Sequence, residues 1–255
     1  MFRKSVALMF AGALVVSALS AQTVDELLAK NLEAKGGKEK LKAIQSMRLT
    51  GKMTMGGGME APFTLTKKRP GNVRMDFTFQ GMTGTQAYDG ETGWMVMPFM
   101  GKKDPEKMAE DMLKEIKEEA DFDGPMIDYA EKGHKVEFVG KEDVQGTPAY
   151  KLKLTMKDGD ESYVYLDADA YLEIRMESKR KMQGQEVELE TIVGDYKEVN
   201  GMLVPHSIES RRKGGTGPGQ AITVEKVEFD LAIDASMFKM PEVKKEAPAA
   251  EKKPN

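Results

Sequence analysis

The 255-residue chain has no cysteine, two histidines and one tryptophan. Without cysteine there are no disulfides, no thiol nucleophile, no iron–sulfur cluster and no cysteine-based zinc site. A lipid attached to an N-terminal cysteine is excluded as well. The two histidines, His134 and His206, lack the spaced His or Glu partner of a zinc helix motif, so ordinary strand and loop roles are expected of both. No excess of basic charge is present. The formal charge is −4, which argues against nucleic-acid binding and against general attraction to anionic lipid. The basic runs 67–69, 179–181 and 211–213 read as solvated strand ends.

Long hydrophobic runs are also missing, with one exception. Arg3 and Lys4 precede an apolar stretch from Val6 to Leu19, and Ala18, Ser20 and Ala21 follow as small residues. This is the pattern of an export signal over residues 1–21, too short for a comfortable membrane span. The rest of the chain has no candidate transmembrane segment. An exported chain without disulfides fits a bacterial envelope better than a eukaryotic secreted domain, so a periplasmic location is expected. The tail 241–255 is Lys, Glu, Ala and Pro and is expected to be disordered.

What the chain has is alternation and methionine, of which there are 20. In Met47-Arg-Leu-Thr-Gly-Lys-Met53-Thr-Met55 and Val73-Arg-Met75-Asp-Phe77-Thr-Phe79, odd positions are apolar or glycine and most even ones are polar. That is the period of a strand with one buried and one wet face. The pattern recurs between turn signals such as Pro70-Gly71, Asp89-Gly90, Asp158-Gly159 and Asn200-Gly201, also at Gly56–Gly58 and Gly184. It predicts ten to twelve strands joined mostly as antiparallel hairpins. Strands do not alternate with helices, which disfavours a parallel α/β sheet, and no motif recurs at a fixed period. Two helices interrupt the pattern. Thr23 and Glu26 form a capping box for a helix carrying Leu27, Leu28 and Leu32, ended by Gly36-Gly37, with a short further turn over 38–44. A second helix is predicted from Asp104-Pro105 to about Glu119, carrying Met108, Met112 and Ile116.

No motif marks catalysis. The run Gly214–Gly219 lacks the Gly-Lys-Ser/Thr ending of a phosphate loop, and the Asp121/Asp123 and Asp167/Asp169 pairs are too short for calcium loops. No metal or cofactor is implied, and no enzyme activity is expected. Trp94 lies on a strand apolar on both faces, so it is either core on both sides or part of a groove. Methionine is flexible and suits a surface that repacks around variable cargo, but each one is also ordinary core material.

The order of segments resembles the outer-membrane lipoprotein-sorting protein family, the LolA/LolB-like periplasmic carriers. The resemblance rests on Tyr88-Asp-Gly-Glu-Thr-Gly-Trp94, the central helical excursion, Gly140-Lys-Glu-Asp-Val-Gln-Gly146-Thr-Pro148-Ala-Tyr150, Tyr165-Leu-Asp167, Asp195-Tyr196 through Asn200-Gly201 to Pro205, and Met237-Phe238-Lys-Met-Pro241. It implies a single domain over residues 22–240: a strongly curved antiparallel sheet, or half-barrel, in the α+β class, with helices across its concave face. It also implies a cavity for acyl chains between sheet and helices. The residues proposed for that cavity are Met53, Met55, Phe63, Leu65, Met75, Phe77, Phe79, Trp94 and Met97 on strands, with Met108, Met112 and Ile116 on the covering helix. The expected partner is a lipid or an acylated lipoprotein. The alternative is an envelope sensor or protein–protein scaffold whose cavity is filled by its own side chains.

Overall fold

The structure, a computed structural model, describes residues 23–55, 58–182, 185–215 and 219–242. The expected export signal, most of the tail, and the glycines at 56, 57 and 184 lie outside the described residues.

Two helices come first, α1 (Val24–Ala34) and α2 (Lys38–Ala43). Thr23 caps α1 as its sequence predicts: its hydroxyl accepts from Glu26 N, and Thr23 N donates to the Glu26 carboxylate. Six strands follow: β1 (Ser46–Met55), β2 (Met59–Lys68), β3 (Asn72–Phe79), β4 (Met82–Tyr88), β5 (Gly93–Met97) and β6 (Lys102–Lys107). After α3 (Glu110–Ala120) come β7 (Lys135–Val144), β8 (Thr147–Thr155), β9 (Glu161–Asp167), β10 (Glu173–Met182), β11 (Gln185–Val199), β12 (Met202–Arg212) and β13 (Gln220–Phe229). A 3₁₀ turn, Ala235–Phe238, follows the last strand.

The described strands form one open antiparallel sheet in the order β6-β5-β4-β3-β2-β1-β13-β12-β11-β10-β9-β8-β7. It is two meanders joined where β1 pairs with β13. Its two edges, β6 and β7, are linked in sequence by α3 and residues 121–134. The sheet has thirteen strands against the ten to twelve expected, and β6 accounts for one correction. Residues 102–107, Lys-Lys-Asp-Pro-Glu-Lys, read as the start of a helix because Asp-Pro is a common helix entry. They form an edge strand instead, where Pro105 forfeits no ladder bond that the sheet needs and the charges suit an edge. The helix begins at Glu110, after Ala109.

Register shows which side chains share a face. Met53 opposes Ile222, Ile222 opposes Ile208, and Ile208 opposes Val193. Two residues along β11, Thr191 opposes Met176, which opposes Val164, which opposes Leu152. This inner face carries both large apolar clusters. One gathers Met53, Phe63, Leu65, Val73 and Val224 under Met108, Ile116 and Ala120. The other gathers Val136, Leu152, Leu154, Val164 and Leu166 under Leu27 of α1. Helices therefore cover one face, α3 on the first meander and α1 on the second.

Bulges occur in β1/β13, β5/β6, β7/β8 and β9/β10. Each bends its strand and adds local twist, which curves a sheet of this width. Gly51 sits at the first of them, where a Cβ would lie 2.0 Å from the Thr223 carbonyl oxygen.

Candidate functional site

The inner face decides what the protein can hold, and its two halves differ. Over the first meander it is filled. α3 presents Met112, Leu113, Ile116 and Ala120 at helical spacing, and Ile116 and Ala120 are buried. Gly93 makes the close approach possible, since a Cβ there would stand 2.7 Å from Leu113 Cδ1 and 3.1 Å from Met108 Sδ. The Met108 N–H donates to the Gly93 carbonyl at 2.9 Å.

The residues expected to line a cavity go to several places. Met53, Phe63, Leu65, Met108 and Ile116 are buried in the cluster beneath α3, and Met75, Phe77 and Met112 pack against it. They meet the protein's own side chains. Phe79 lies at the far end of β3, where it meets Phe99 edge-on at 6.0 Å between ring centres. Met97 is buried at the end of β5, outside that cluster. Met55 is the last residue of β1.

Trp94 requires a correction. It opposes Ala87, which opposes Arg74, and this row belongs to the outer face. There Trp94 is 1% exposed and donates its indole N–H to the Phe238 carbonyl at 2.7 Å. Arg74 lies over the indole and also donates to the Met237 carbonyl at 2.8 Å. The 3₁₀ turn after β13 thus closes over the outer face, and alternation puts Gly93 and Met95 on the inner side and Trp94 on the other.

One open space lies beside α3, over the second meander; a larger one, of about 730 Å³, lies between α3, the β2–β3 turn and residues 156–158, and its lining is mostly charged and polar. A cleft of about 490 Å³ separates the polar side of α3 from β8–β11. Its wall is Leu154, Met156, Met176 and Leu189, interrupted by the small hydroxyl residues Ser162, Ser178 and Thr191. None of the twelve expected residues lines it. The signal for the residues that do was present: β8–β11 alternate as clearly as β1–β3, and hydroxyls at inward positions leave room that a bulky side chain would fill. The methionine density is higher in the first meander, whose inner face is filled.

Ion pairs hold α3 over this cleft. Arg180, on the inner face of β10, reaches Glu118 at 2.7 Å. Lys114 lies 2.6 Å from Asp160 and 2.9 Å from Asp158 on the β8–β9 turn. Its hydrogen bonds to Asp160 and Asp158 hold the Lys114 ammonium above the usual lysine range. On the other flank Lys67 pairs with Glu119 at 2.6 Å. The carboxylates of Glu118, Asp158 and Asp160 approach within 4.8 Å of one another, and Lys114 and Arg180 meet their charge.

The segment after α3 is fixed more firmly. Arg69 pairs with Asp123 at 2.5 Å, lies over the Phe122 ring and donates to the carbonyls of Ile44 and Leu41. Lys42 reaches Asp123 at 2.6 Å and Asp128 at 2.9 Å, and Lys38 reaches Asp128 at 2.6 Å. Hydrogen bonds from Lys38 and Lys42 pull the Asp128 carboxyl down to about 2. α1 is tied down too: Lys35 pairs with Glu173 at 2.6 Å, and Asn31 donates to the Tyr171 carbonyl at 2.7 Å. Burial raises the Tyr196 phenol, which donates to the Glu173 carbonyl.

The overall fold has counterparts among solved structures. A LolA superfamily protein from Nitrosomonas europaea is 13% identical, with a TM-score of 0.58 over 86% of this chain and 98% of that one. The fold is LolA-like. A putative outer membrane lipoprotein-sorting protein domain from Vibrio parahaemolyticus is 14% identical, with a TM-score of 0.54 over 83% of this chain and 97% of that one. A DUF1329 family protein from Desulfovibrio piger gives a TM-score of 0.60 at 14% identity, over 86% of this chain and 98% of that one. At such identities the likeness establishes architecture, and the LolA-like sheet with helices on one face agrees with the expectation from segment order. No protein-family model matches the chain, and no curated protein matches its sequence.

Proposed function

We propose that this LolA-like protein is an exported, periplasmic carrier that shelters the acyl chain of a lipid or lipoprotein between α3 and β8–β11. The observation that carries this reading is the cleft itself. Its volume lies within the roughly 300–1,000 Å³ of small-molecule sites, and an apolar wall lies beneath a helix held by side-chain pairs at its margin. Each methylene withdrawn from water contributes about 0.8 kcal/mol, so a long chain has on the order of 10 kcal/mol to offset ordering and helix displacement. Transport of this kind involves no bond making, and no catalytic group is assigned. α3 serves as the lid, and the methionines beneath it supply a surface that repacks when it lifts. The lipoprotein-sorting role named for the Vibrio parahaemolyticus domain supports the same class of cargo. A single domain over residues 22–240, preceded by an export signal, belongs to this reading. Among the described residues no helix is long and apolar enough to cross a membrane.

Native mass spectrometry of the mature protein should show co-purifying lipid, and a fluorescent fatty alcohol should bind. Met176→Asp, which puts a carboxylate on the cleft wall, should abolish uptake while the fold persists. Clean protein that takes up no acyl probe overturns the proposal.

A second reading, a protein–protein module, draws on another observation. The turns β1–β2, β3–β4 and β5–β6 lie on one margin of the first meander, and Met59, Met82 and Met100 there are 45%, 37% and 69% exposed. Residues 53–59, 77–87 and 93–101 contain no charged side chain, in a chain that is 31% charged. A partner captured through these tips, with no acyl binding, favours the module.

A further inference from the structure

The charge around the cleft bears on the head group of its ligand, an inference that rests on the carrier reading above. The outer part of the cleft, a further space of about 420 Å³, shares Glu115, Asp160, Glu161, Lys179 and Arg180 with the inner part and adds Asp111, Lys114, Gly159 and Glu186. The cations at this mouth are occupied. Arg180 is held by Glu118 and Lys114 by Asp158 and Asp160; Lys179, turned to the outer side by the alternation that turns Arg180 inward, pairs with Glu186 and Glu188 at 3.2 and 3.7 Å. The anions are not all matched. Asp111 and Glu115, one helical turn apart on α3, line the mouth and have no ion-pair partner among the described residues. Like charges at this spacing repel; the helix N-terminus favours Asp111 in its first turn, but Glu115 lies one turn further on, and the pair leaves negative charge at the mouth that no side-chain cation among the described residues neutralises.

An anionic head group meets the opposite situation. To receive it, Arg180 would have to leave Glu118. That would strand Glu118 beside Asp158 and Asp160, whose carboxylates stand within 4.8 Å of it, with only Lys114 to serve the three. Carboxylate or phosphate heads are therefore disfavoured twice, by the unmatched acids and by the loss of an existing pair.

We propose that the cleft selects long-chain amphiphiles with a cationic head, the chain lying on Leu154, Met156, Met176 and Leu189 and the head between Asp111 and Glu115. The cationic head completes a charge pattern that the protein leaves open, and the apolar wall accepts the chain whatever the head. Specificity then comes from the mouth and affinity from the wall.

The test is a comparison at constant chain length. Dodecylamine, dodecanol and dodecanoate are titrated at pH 7 into the mature protein loaded with a neutral fluorescent acyl probe. The amine should displace the probe about fivefold better than the alcohol, and the alcohol about fivefold better than the acid, the size expected from two exposed charge pairs. The order should collapse in 1 M salt, where the screening length is about 3 Å. D111N/E115Q replaces two exposed side chains and relieves a like-charge contact, so it should fold normally, retain dodecanol binding and lose the amine preference. If dodecanol binds and the amine has no advantage, or the double variant keeps it, the cationic-head proposal is wrong and the carrier reading stands. If no ligand displaces the probe, or the probe itself does not bind, both fail.

Discussion

Phe238→Ala tests the placement of the single tryptophan. Phe238 is fully buried and Trp94 is 1% exposed, and the two are joined by the indole N–H donating to the Phe238 carbonyl at 2.7 Å. The turn that carries Phe238 is also held by Ser236 N and Met237 N donating to Asp234, by Lys239 N donating to the Ser236 carbonyl, and by Arg74 donating to the Met237 carbonyl. Truncating a buried phenylalanine to alanine costs about 3–5 kcal/mol when the site cannot collapse. In a chain of this size that corresponds to a fall in Tm of roughly 10 °C. The backbone carbonyl survives the substitution, so the indole bond remains available, but water gains access to the ring. Because the chain has one tryptophan, its emission reports this contact alone. Urea unfolding followed by fluorescence should give a lower midpoint with an unchanged slope, and the native emission should shift to the red. A loss below about 1 kcal/mol with unshifted emission would refute the assignment of Trp94 to a closed outer face. The same reporter has a second use: an acyl ligand in the cleft, on the other side of the sheet, should leave native emission where it is.

Three further outcomes are expected. Ile116→Asp places a charge under α3, and limited proteolysis should then cut within residues 101–134 while the far-UV signature of the sheet is retained; a variant as resistant as the parent argues against α3 as a separable lid. Asp128, held at about 2 by Lys38 and Lys42, has a folded-state value below that of an unfolded aspartate near 3.9, so its stabilising effect is complete above about pH 4 and disappears as pH falls toward 2; Asp128→Asn should flatten the dependence of the urea midpoint on pH in that window and nowhere else. Gly51→Ala would bring a Cβ within 2.0 Å of the Thr223 carbonyl oxygen, and because the obstacle is backbone, the expected cost is about 3 kcal/mol or more, visible as a loss of soluble folded protein or a large drop in Tm.

Legibility in the sequence differed between elements for physical reasons. The sheet was readable because alternation is a one-dimensional trace of a two-faced surface, and α1 because its cap is local: Thr23 and Glu26 satisfy each other across three residues. β6 was not, since an edge strand needs one neighbour and carries little apolar signal. The site was only half readable. Alternation names the residues on a face but is silent about which stretch of that face a helix covers. That depends on where α3 comes to rest, and this in turn rests on Gly93 and on pairs as distant in sequence as Arg180 and Glu118. The methionines of β1–β3 therefore read as cavity lining where the helix in fact covers them, and the cleft lies over strands with less conspicuous composition.

The pairing of β1 with β13 also sets the order in which the molecule can form. Each meander is built from neighbours in sequence, so β1–β6 and β7–β12 can assemble from local hairpins, but the seam between them must wait for the last strand to be made. Contacts of such long sequence separation slow folding. Until that seam forms, β1 is an unpaired edge with methionines along one side, and the chain carries that exposed strand for as long as its C-terminal part is still being delivered.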